Sequence, residues 1–251
     1  MQTTSLAYLE GALLHQGQYK EAMPALLKAG LTPVSPSLVM DRRNERVDSN
    51  HELWNNYFDT DFGLAADSKR VYFAPHSKTL RKLNPETRLT ANGVQLRSTS
   101  GLRSIKRKDM ILGKRLTEKE ARRHQGWLSL ADGNQERLDA YVGNAFKLGK
   151  DKFCYNEMMG FYVSDVSKPV LRAVVLYGLG NWSLAFGCGG LVGGRVRLVG
   201  VRSSASAVSA SPQKSDDLAS LVLKEMQSRK PIVQVGDISY MLVPKELQVK
   251  G

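Results

Sequence analysis

The sequence has few of the residues from which metal sites and cross-linked scaffolds are built. Its 251 residues include two cysteines, Cys154 and Cys188, and four histidines. A secreted disulfide scaffold would use more cysteines at closer spacing, so we expect a reducing compartment and a cytoplasmic protein. Two thiols exclude a four-cysteine zinc site, and the histidines show no metal-ligand spacing among themselves. The sequence therefore predicts no metal and no cofactor.

Long apolar runs are also missing. The best candidate, residues 170–179, is interrupted by Arg172 and Gly178, whereas a membrane-spanning helix needs about 20 apolar residues. The N-terminal stretch MQTTSLAYLEGALLHQG lacks a basic leader and contains Glu10 and His15, which is not typical of a secretory signal. Hydrophobic residues still make up 42% of the chain, enough for a packed core. We therefore expect a soluble globular protein without a membrane span.

Acidic residues are scarce in one part of the chain. Residues 69–123, called the basic segment below, contain sixteen Lys and Arg residues against four acids, an excess of twelve. The formal net charge of the whole chain is +12, so the remaining residues are balanced. A generally charged exterior would spread the excess more evenly, and a concentrated positive field attracts polyanions. The expected partner is nucleic acid, DNA or RNA, or another polyanion.

The residues expected to contact phosphates lie in the stretch GLRSIKRKDMILGKRLTEKEARRHQGW, residues 101–127. They are Arg103, Lys106, Arg107, Lys108, Lys114, Arg115, Arg122 and Arg123. TEKE predicts a capping box at Thr117, followed by a helix on which Lys119, Arg122 and Arg123 share one face. No recognition module accompanies these residues, so we expect binding by counterion release with little reading of bases.

Two other functions remain open. An enzyme acting on a phosphorylated or otherwise anionic substrate would also use positive charge, and Asp59, Asp61 and His124 are its candidate catalytic residues if folding brings them together. Alternatively, the chain is a protein-interaction or assembly subunit, with a contact surface on residues 4–31 and an acidic partner for the basic segment. The sequence does not indicate the oligomeric state.

Two short motifs match catalytic signatures but lack the parts that would support them. DFGLA, residues 61–65, has the magnesium-binding triplet of protein kinases, but no glycine-rich loop, strand lysine or HRD loop precedes it. The glycine-rich run FGCGGLVGGRVRLVG lacks the Lys-Ser or Lys-Thr of a Walker loop. Its glycines are better interpreted as tight turns between strands.

The patterning predicts an α+β protein with a mostly antiparallel sheet built from hairpins. Leu6, Leu9, Leu13 and Leu14 recur at helical spacing and place helices in residues 1–60. A central helical pair is expected at residues 117–131 and 134–149. Hairpins are expected around Asp67-Ser68 and Asn92-Gly93, with further strands between residues 170 and 202.

The predicted organisation has four parts. Residues 1–60 form a helical region, and residues 61–202 form an α+β core that contains the basic segment. Residues 203–215, rich in Ser and Ala, are a linker or long loop. Residues 216–251 form a helix and a β-hairpin that pack on the core.

The N-terminal region carries one resemblance to a known family. HQGQYKEAMPALLKAGLTP resembles the second half of a tetratricopeptide repeat, with Gly17, Tyr19, Glu21, Ala22 and Ala29 in matching order. No second copy follows at the expected period, and a lone repeat cannot bury its own apolar face. The resemblance therefore implies an antiparallel helical hairpin, not a peptide-binding solenoid.

Overall fold

The structure is a computed structural model, and it describes residues 2–5, 13–90, 93–164, 168–187, 191, 196–202, 232–235 and 238–241. The chain divides into two compact units, residues 1–203 and 204–251. The described residues of the first unit include seven helices and eleven strands, and those of the second form a two-stranded hairpin.

The strands of the first unit are β1 (Gln2–Ser5), β2 (Leu13–Gly17), β3 (Thr32–Pro33), β4 (Phe58–Ala66), β5 (Arg70–Ala74), β6 (Val94–Gln95), β7 (Arg103–Lys106), β8 (Phe161–Val163), β9 (Val170–Leu176), β10 (Ala185–Gly187) and β11 (Val196–Val201). The helices are α1 (Tyr19–Lys28), α2 (Pro36–Glu45), α3 (Glu52–Asn55), α4 (Lys78–Arg81), α5 (Glu118–Arg123), α6 (Gln125–Leu130) and α7 (Gln135–Phe153). None of these described helices is long and apolar enough to span a membrane.

The eleven strands form one mixed sheet. Its main path runs β1-β2-β11-β4-β9-β10-β8, with β3 beside β11, β5 beside β4, β7 beside β5, and β6 beside β9. The pairs β4–β11 and β8–β10 are parallel, and the other pairs are antiparallel. The structure thus confirms an α+β protein with a mostly antiparallel sheet.

Strand β4 lies at the centre of the core, and all nine of its residues are buried. Phe62 and Leu64 belong to one hydrophobic cluster, which includes Trp127 of α6 and Tyr141 of α7. Ala65 belongs to a second cluster, which includes residues of α1. Both faces of β4 are therefore covered, which explains why its sequence, FDTDFGLAA, shows no simple alternation of apolar and polar residues.

The predicted helical hairpin at the N-terminus is wrong in its first half. Residues 13–17 form strand β2, which pairs with β1 and with residues 196–200 of β11, and residues 6–12 lie outside the described part. The second half is the helix α1. Leucines at helical spacing predicted a helix in the first half, but β2 pairs with the nearby β1 and with the distant β11, and no local pattern reveals the second pairing.

The central helices agree with the prediction except at one break. Thr117 forms the expected capping box with Glu120 at the start of α5. His124 has extended backbone angles and ends α5, and its side chain caps α6. The expected helix over residues 117–131 is therefore two short helices, followed by α7.

The hairpin predictions have mixed outcomes. The turn after Ala66 is confirmed, since β4 and β5 are antiparallel neighbours. The second predicted turn, Asn92-Gly93, is described only in part, because Asn92 lies outside the described residues. Thr90 and Gly93 form an isolated bridge, and β6, which follows, pairs with β9. In the second unit, Ile232–Val235 (β12) and Ile238–Met241 (β13) form the expected hairpin. The predicted linker over residues 203–215 and helix over residues 216–228 lie outside the described residues.

Candidate anion-binding groove

The pairing of β5 with β7 brings two separate parts of the basic segment together. Arg70 lies opposite Lys106, and Phe73 lies opposite Arg103. The backbone N–H of Arg107 donates to the carbonyl of Lys69 over 2.9 Å, which extends the contact past the end of β7. The turn between β4 and β5 therefore lies beside the triplet Lys106–Lys108.

A groove of about 400 Å³ lies between this turn and the triplet. It is lined by Ser68, Lys69, Arg70, Lys106, Arg107 and Lys108. Five of the six lining residues are cationic, and none is acidic. Lys69, Lys106 and Lys108 are exposed, and Arg70 and Arg107 are partly buried. The groove therefore offers anions several positive groups at once.

The nearest acid of the turn, Asp67, is engaged by the turn itself. Its carboxylate accepts hydrogen bonds from the backbone N–H groups of Lys69 and Arg70, each over 2.7 Å, and from the hydroxyl of Tyr72 over 2.8 Å. These bonds give Asp67 a structural role as the side chain that closes the hairpin.

The opposed pair Arg70 and Lys106 does not stabilise the sheet. Like charges directly opposite each other on paired strands are destabilising. The Nε of Arg70 donates to the hydroxyl of Ser104 over 2.8 Å, and its Nη2 reaches the carbonyl of Ser104 at 3.3 Å. These bonds orient the guanidinium without neutralising it, so the positive charge of the groove is preserved.

The other residues predicted to bind phosphate do not line this groove. Arg103 is exposed on β7, and Lys114 lies 3.7 Å from the carboxylate of Glu120. The guanidinium of Arg115 lies over the ring of Trp182, with 5.0 Å from its central carbon to the ring centre. The structure thus brings together only Lys106, Arg107 and Lys108 from the predicted set.

Arg122 is held by acidic neighbours. Its guanidinium donates to the Glu118 carboxylate at 2.6 and 3.2 Å and to the main-chain carbonyl of Asp139 at 2.8 Å. The hydrogen bond to Glu118 is the main cause of the raised pKa of Arg122. Arg122 therefore ties α5 to α7, and it does not share a phosphate-binding face with Lys119 and Arg123.

Lys119 and Arg123 line a second groove, of about 290 Å³. Its other lining residues are Asp109, Ile111, Glu120, His124 and Gln125. Two acids accompany the two cations, so this groove has no clear preference for anions.

Both ring nitrogens of His124 are hydrogen-bonded to backbone groups. Its Nδ1 accepts from the backbone N–H of Trp127, and its Nε2 donates to the carbonyl of Ile111 over 2.8 Å. Burial lowers the pKa of His124, which favours the neutral ring that this pairing requires. Nδ1 caps α6 and Nε2 ties the ring to Ile111 before α5, so both ring nitrogens have structural partners.

Asp59 and Asp61 lie on buried β4 and have separate partners. Asp59 accepts the backbone N–H of Arg197 over 2.7 Å. Asp61 pairs with the guanidinium of Arg81 and, at 3.2 Å, with Nδ1 of His76. Neither aspartate lines the groove that His124 lines. Among the described residues, no group of three or more His, Cys, Asp or Glu side chains could hold a metal ion.

Lys69 and Arg70 line the groove but were not among the eight predicted site residues. Both belong to the basic segment, and the predicted turn at Asp67-Ser68 placed them at the start of a strand. The missing information was that β7 pairs with β5, which depends on contacts between distant segments.

Comparisons with known proteins bear on the fold alone. No family model matches the sequence, and no curated protein matches it. A similar solved structure was reported as "Accommodation of massive sequence variation in Nanoarchaeota by the C-type lectin fold", with a TM-score of 0.56 and 16% sequence identity. The match covers 75% of this chain and 97% of that chain. The protein is therefore similar in fold to a C-type lectin domain.

Proposed function

We propose that the protein binds nucleic acid through its phosphate backbone, in the groove formed by Ser68–Arg70 and Lys106–Lys108. The observation that carries the proposal is the lining of this groove, in which five of six residues are cationic and none is acidic. Binding would follow from release of the counterions condensed on the nucleic acid.

The form of the groove supports a polyanion over a small anion. Its cations come from the β4–β5 turn, from β5 and β7, and from the two residues that follow β7, and three of them are exposed lysines. Lysine acts as a flexible point charge toward phosphate. Such a surface suits a chain of phosphates that can contact several cations together.

The similarity in fold does not indicate which ligand this protein binds. The similar solved structure was described as a case in which the C-type lectin fold accommodates massive sequence variation. Because the two chains are only 16% identical, the proposal of anion binding rests on the residues of this protein's groove and not on the similarity in fold.

The first test is the salt dependence of binding. About five phosphate contacts predict that log K falls against log [salt] with a slope of about −3.5 for a single strand and about −4.5 for a duplex. Fluorescence anisotropy with labelled oligonucleotides, between low and moderate salt, measures this slope. Absence of salt-sensitive binding to DNA or RNA near neutral pH would refute the proposal.

The second test is the triple charge reversal K106E/R107E/K108E. We expect it to weaken binding to all nucleic-acid sequences alike, by at least about tenfold at low salt, and to make the slope shallower by about 2 for a single strand and about 3 for a duplex. The matched control is K28E/K147E/K150E, which reverses three exposed lysines of α1 and α7 and changes the net charge equally. Equal losses in both variants would show that only the total charge matters.

Poly-glutamate of matched charge separates this proposal from an acidic protein partner. Both ligands carry negative charge, and Arg pairs with carboxylates and phosphates alike, so the comparison of affinities separates the two partners. We expect the nucleic acid to bind more tightly at the same ionic strength. Tighter binding of poly-glutamate would favour an assembly subunit with an acidic partner.

A further inference from the structure

Arg115 lies at one end of a row of side chains on the first unit in which three aromatic rings are in contact. Its guanidinium lies over the ring of Trp182, whose centre is 5.6 Å from that of Tyr155. Tyr155 stacks on Phe153 with 5.1 Å between ring centres and 14° between planes. The ammonium of Lys152 lies 5.6 Å from the Phe153 ring centre and closes the other end of the row.

The row holds Arg115 in a defined position. Leu116 and Met158 exchange backbone hydrogen bonds of 2.8 and 2.9 Å next to it, which fixes the main chain. Arg115 is an exposed residue, and one face of its guanidinium rests on the indole. Because Arg115 is exposed as a residue, the side of its guanidinium turned away from the indole is a positively charged group open to solvent.

Arg115 lies within reach of a strand bound in the basic groove. Arg115 is seven positions after Lys108 in the chain, so their Cα atoms are at most about 25 Å apart. Lys114, beside Arg115, has a 63% exposed side chain that lies 3.7 Å from the carboxylate of Glu120. A short oligonucleotide can span such a distance, since sites on single strands cover about 4–16 nucleotides.

We propose that the nucleic acid bound by this protein is single-stranded and that one of its bases stacks on the outer face of the Arg115 guanidinium. The inference rests on the proposed function and adds the class of nucleic acid to it. Planar guanidinium groups stack on aromatic rings and on unpaired bases. Inside a duplex both faces of each base are covered by neighbours, so a single strand supplies the stacking partner along its whole length, and a duplex supplies it only at its ends.

Tryptophan fluorescence of the full chain can report on this site. Of the three tryptophans, Trp54 and Trp127 are fully buried, and Trp182 is partly exposed beneath Arg115. The ligands are a twelve-nucleotide thymidine strand, an abasic phosphodiester strand of the same length, and a duplex of that length. We expect the thymidine strand to quench the fluorescence and to bind at least about fivefold more tightly than the abasic strand.

The variant R115K tests the stacking contact itself. Lysine keeps the positive charge but loses the plane, so the preference for thymidine over the abasic strand should fall to near unity, with abasic binding unchanged. The control is R103K on β7, at another exposed arginine of the basic segment, which should keep the preference. The same preference in R115K and in the wild type would overturn the stacking contact.

The outcomes separate the two proposals. If the thymidine and abasic strands bind equally, or the duplex binds more tightly than either, base stacking is refuted while binding through phosphates stands. If none of the three ligands binds in a salt-sensitive manner, the proposed function fails and the stacking proposal fails with it.

Discussion

At the scale of single residues, Asp59 is a carboxylate buried in the middle of the sheet. It is 6% exposed and lies on β4 opposite Val175 of β9. Burial raises its pKa to about 6, and the hydrogen bond from the backbone N–H of Arg197 offsets part of this effect. The Asp59 carboxylate can therefore be charged near neutral pH, but its buried charge lowers the stability of the folded protein.

The raised pKa predicts a pH-dependent stability. Between about pH 4 and pH 6 the native state binds more protons at Asp59 than the unfolded state does, so the free energy of unfolding falls as the pH rises through 6. A shift of about two units corresponds to about 3 kcal/mol. We expect D59N to exceed the wild type in stability by about 1–3 kcal/mol at pH 7.5 and by much less at pH 4.5.

Urea unfolding of both proteins at the two pH values measures this difference. The amide oxygen that D59N introduces can still accept the hydrogen bond from the Arg197 N–H, so the variant removes chiefly the charge. D151N, at an exposed position of α7, is the control and should change stability by less than about 0.5 kcal/mol at either pH. If D59N changes the free energy of unfolding by the same amount at both pH values, the buried charge of Asp59 is not the cause of the change.

At the scale of elements, the contact between α3 and the segment after β9 depends on a glycine. A Cβ added at Gly178 would lie 2.6 Å from the carbonyl oxygen of Trp54 and 2.7 Å from the carbonyl carbon of Asn55. These are backbone atoms of α3, so they cannot move aside as a flexible side chain would. The absence of a side chain at Gly178 is what lets the two elements approach.

We expect G178A to lower the free energy of unfolding by about 1–3 kcal/mol, because it forces α3 away from the sheet. Gly180 provides a matched control two residues away, since a Cβ there would meet no atom within 4 Å. G180A should change stability by less than about 0.5 kcal/mol. Chemical denaturation of the two variants measures both effects, and similar losses in both would argue against a steric cause.

At the scale of the whole molecule, the basic groove belongs entirely to the first unit, residues 1–203. Residues 204–251 contain six basic and five acidic side chains, so their removal changes the net charge by one. We expect a chain ending at residue 203 to keep cooperative thermal unfolding and to bind nucleic acid with the same salt slope. Anisotropy and circular dichroism measure these properties, and a shallower slope would show that the second unit contributes contacts.

Local signals in the sequence predicted the features that depend on neighbouring residues. The turn at Asp67 and the Thr117 capping box were both confirmed, because each is completed within a few residues. The break between α5 and α6 was not predicted, since it depends on the contact of His124 with the distant carbonyl of Ile111.

The sequence by itself determined the α+β class and the concentration of the net charge in residues 69–123, because composition and periodicity are properties of the chain alone. Only the tertiary structure decided that residues 13–17 form a strand, that Arg122 reaches Asp139 of α7, and that Lys69 and Arg70 lie beside Lys106–Lys108. The physical reason is the same in each case. Strand partners and ion pairs are selected by burial and hydrogen bonding between segments far apart in the chain, and these contacts exist only after the sheet has formed.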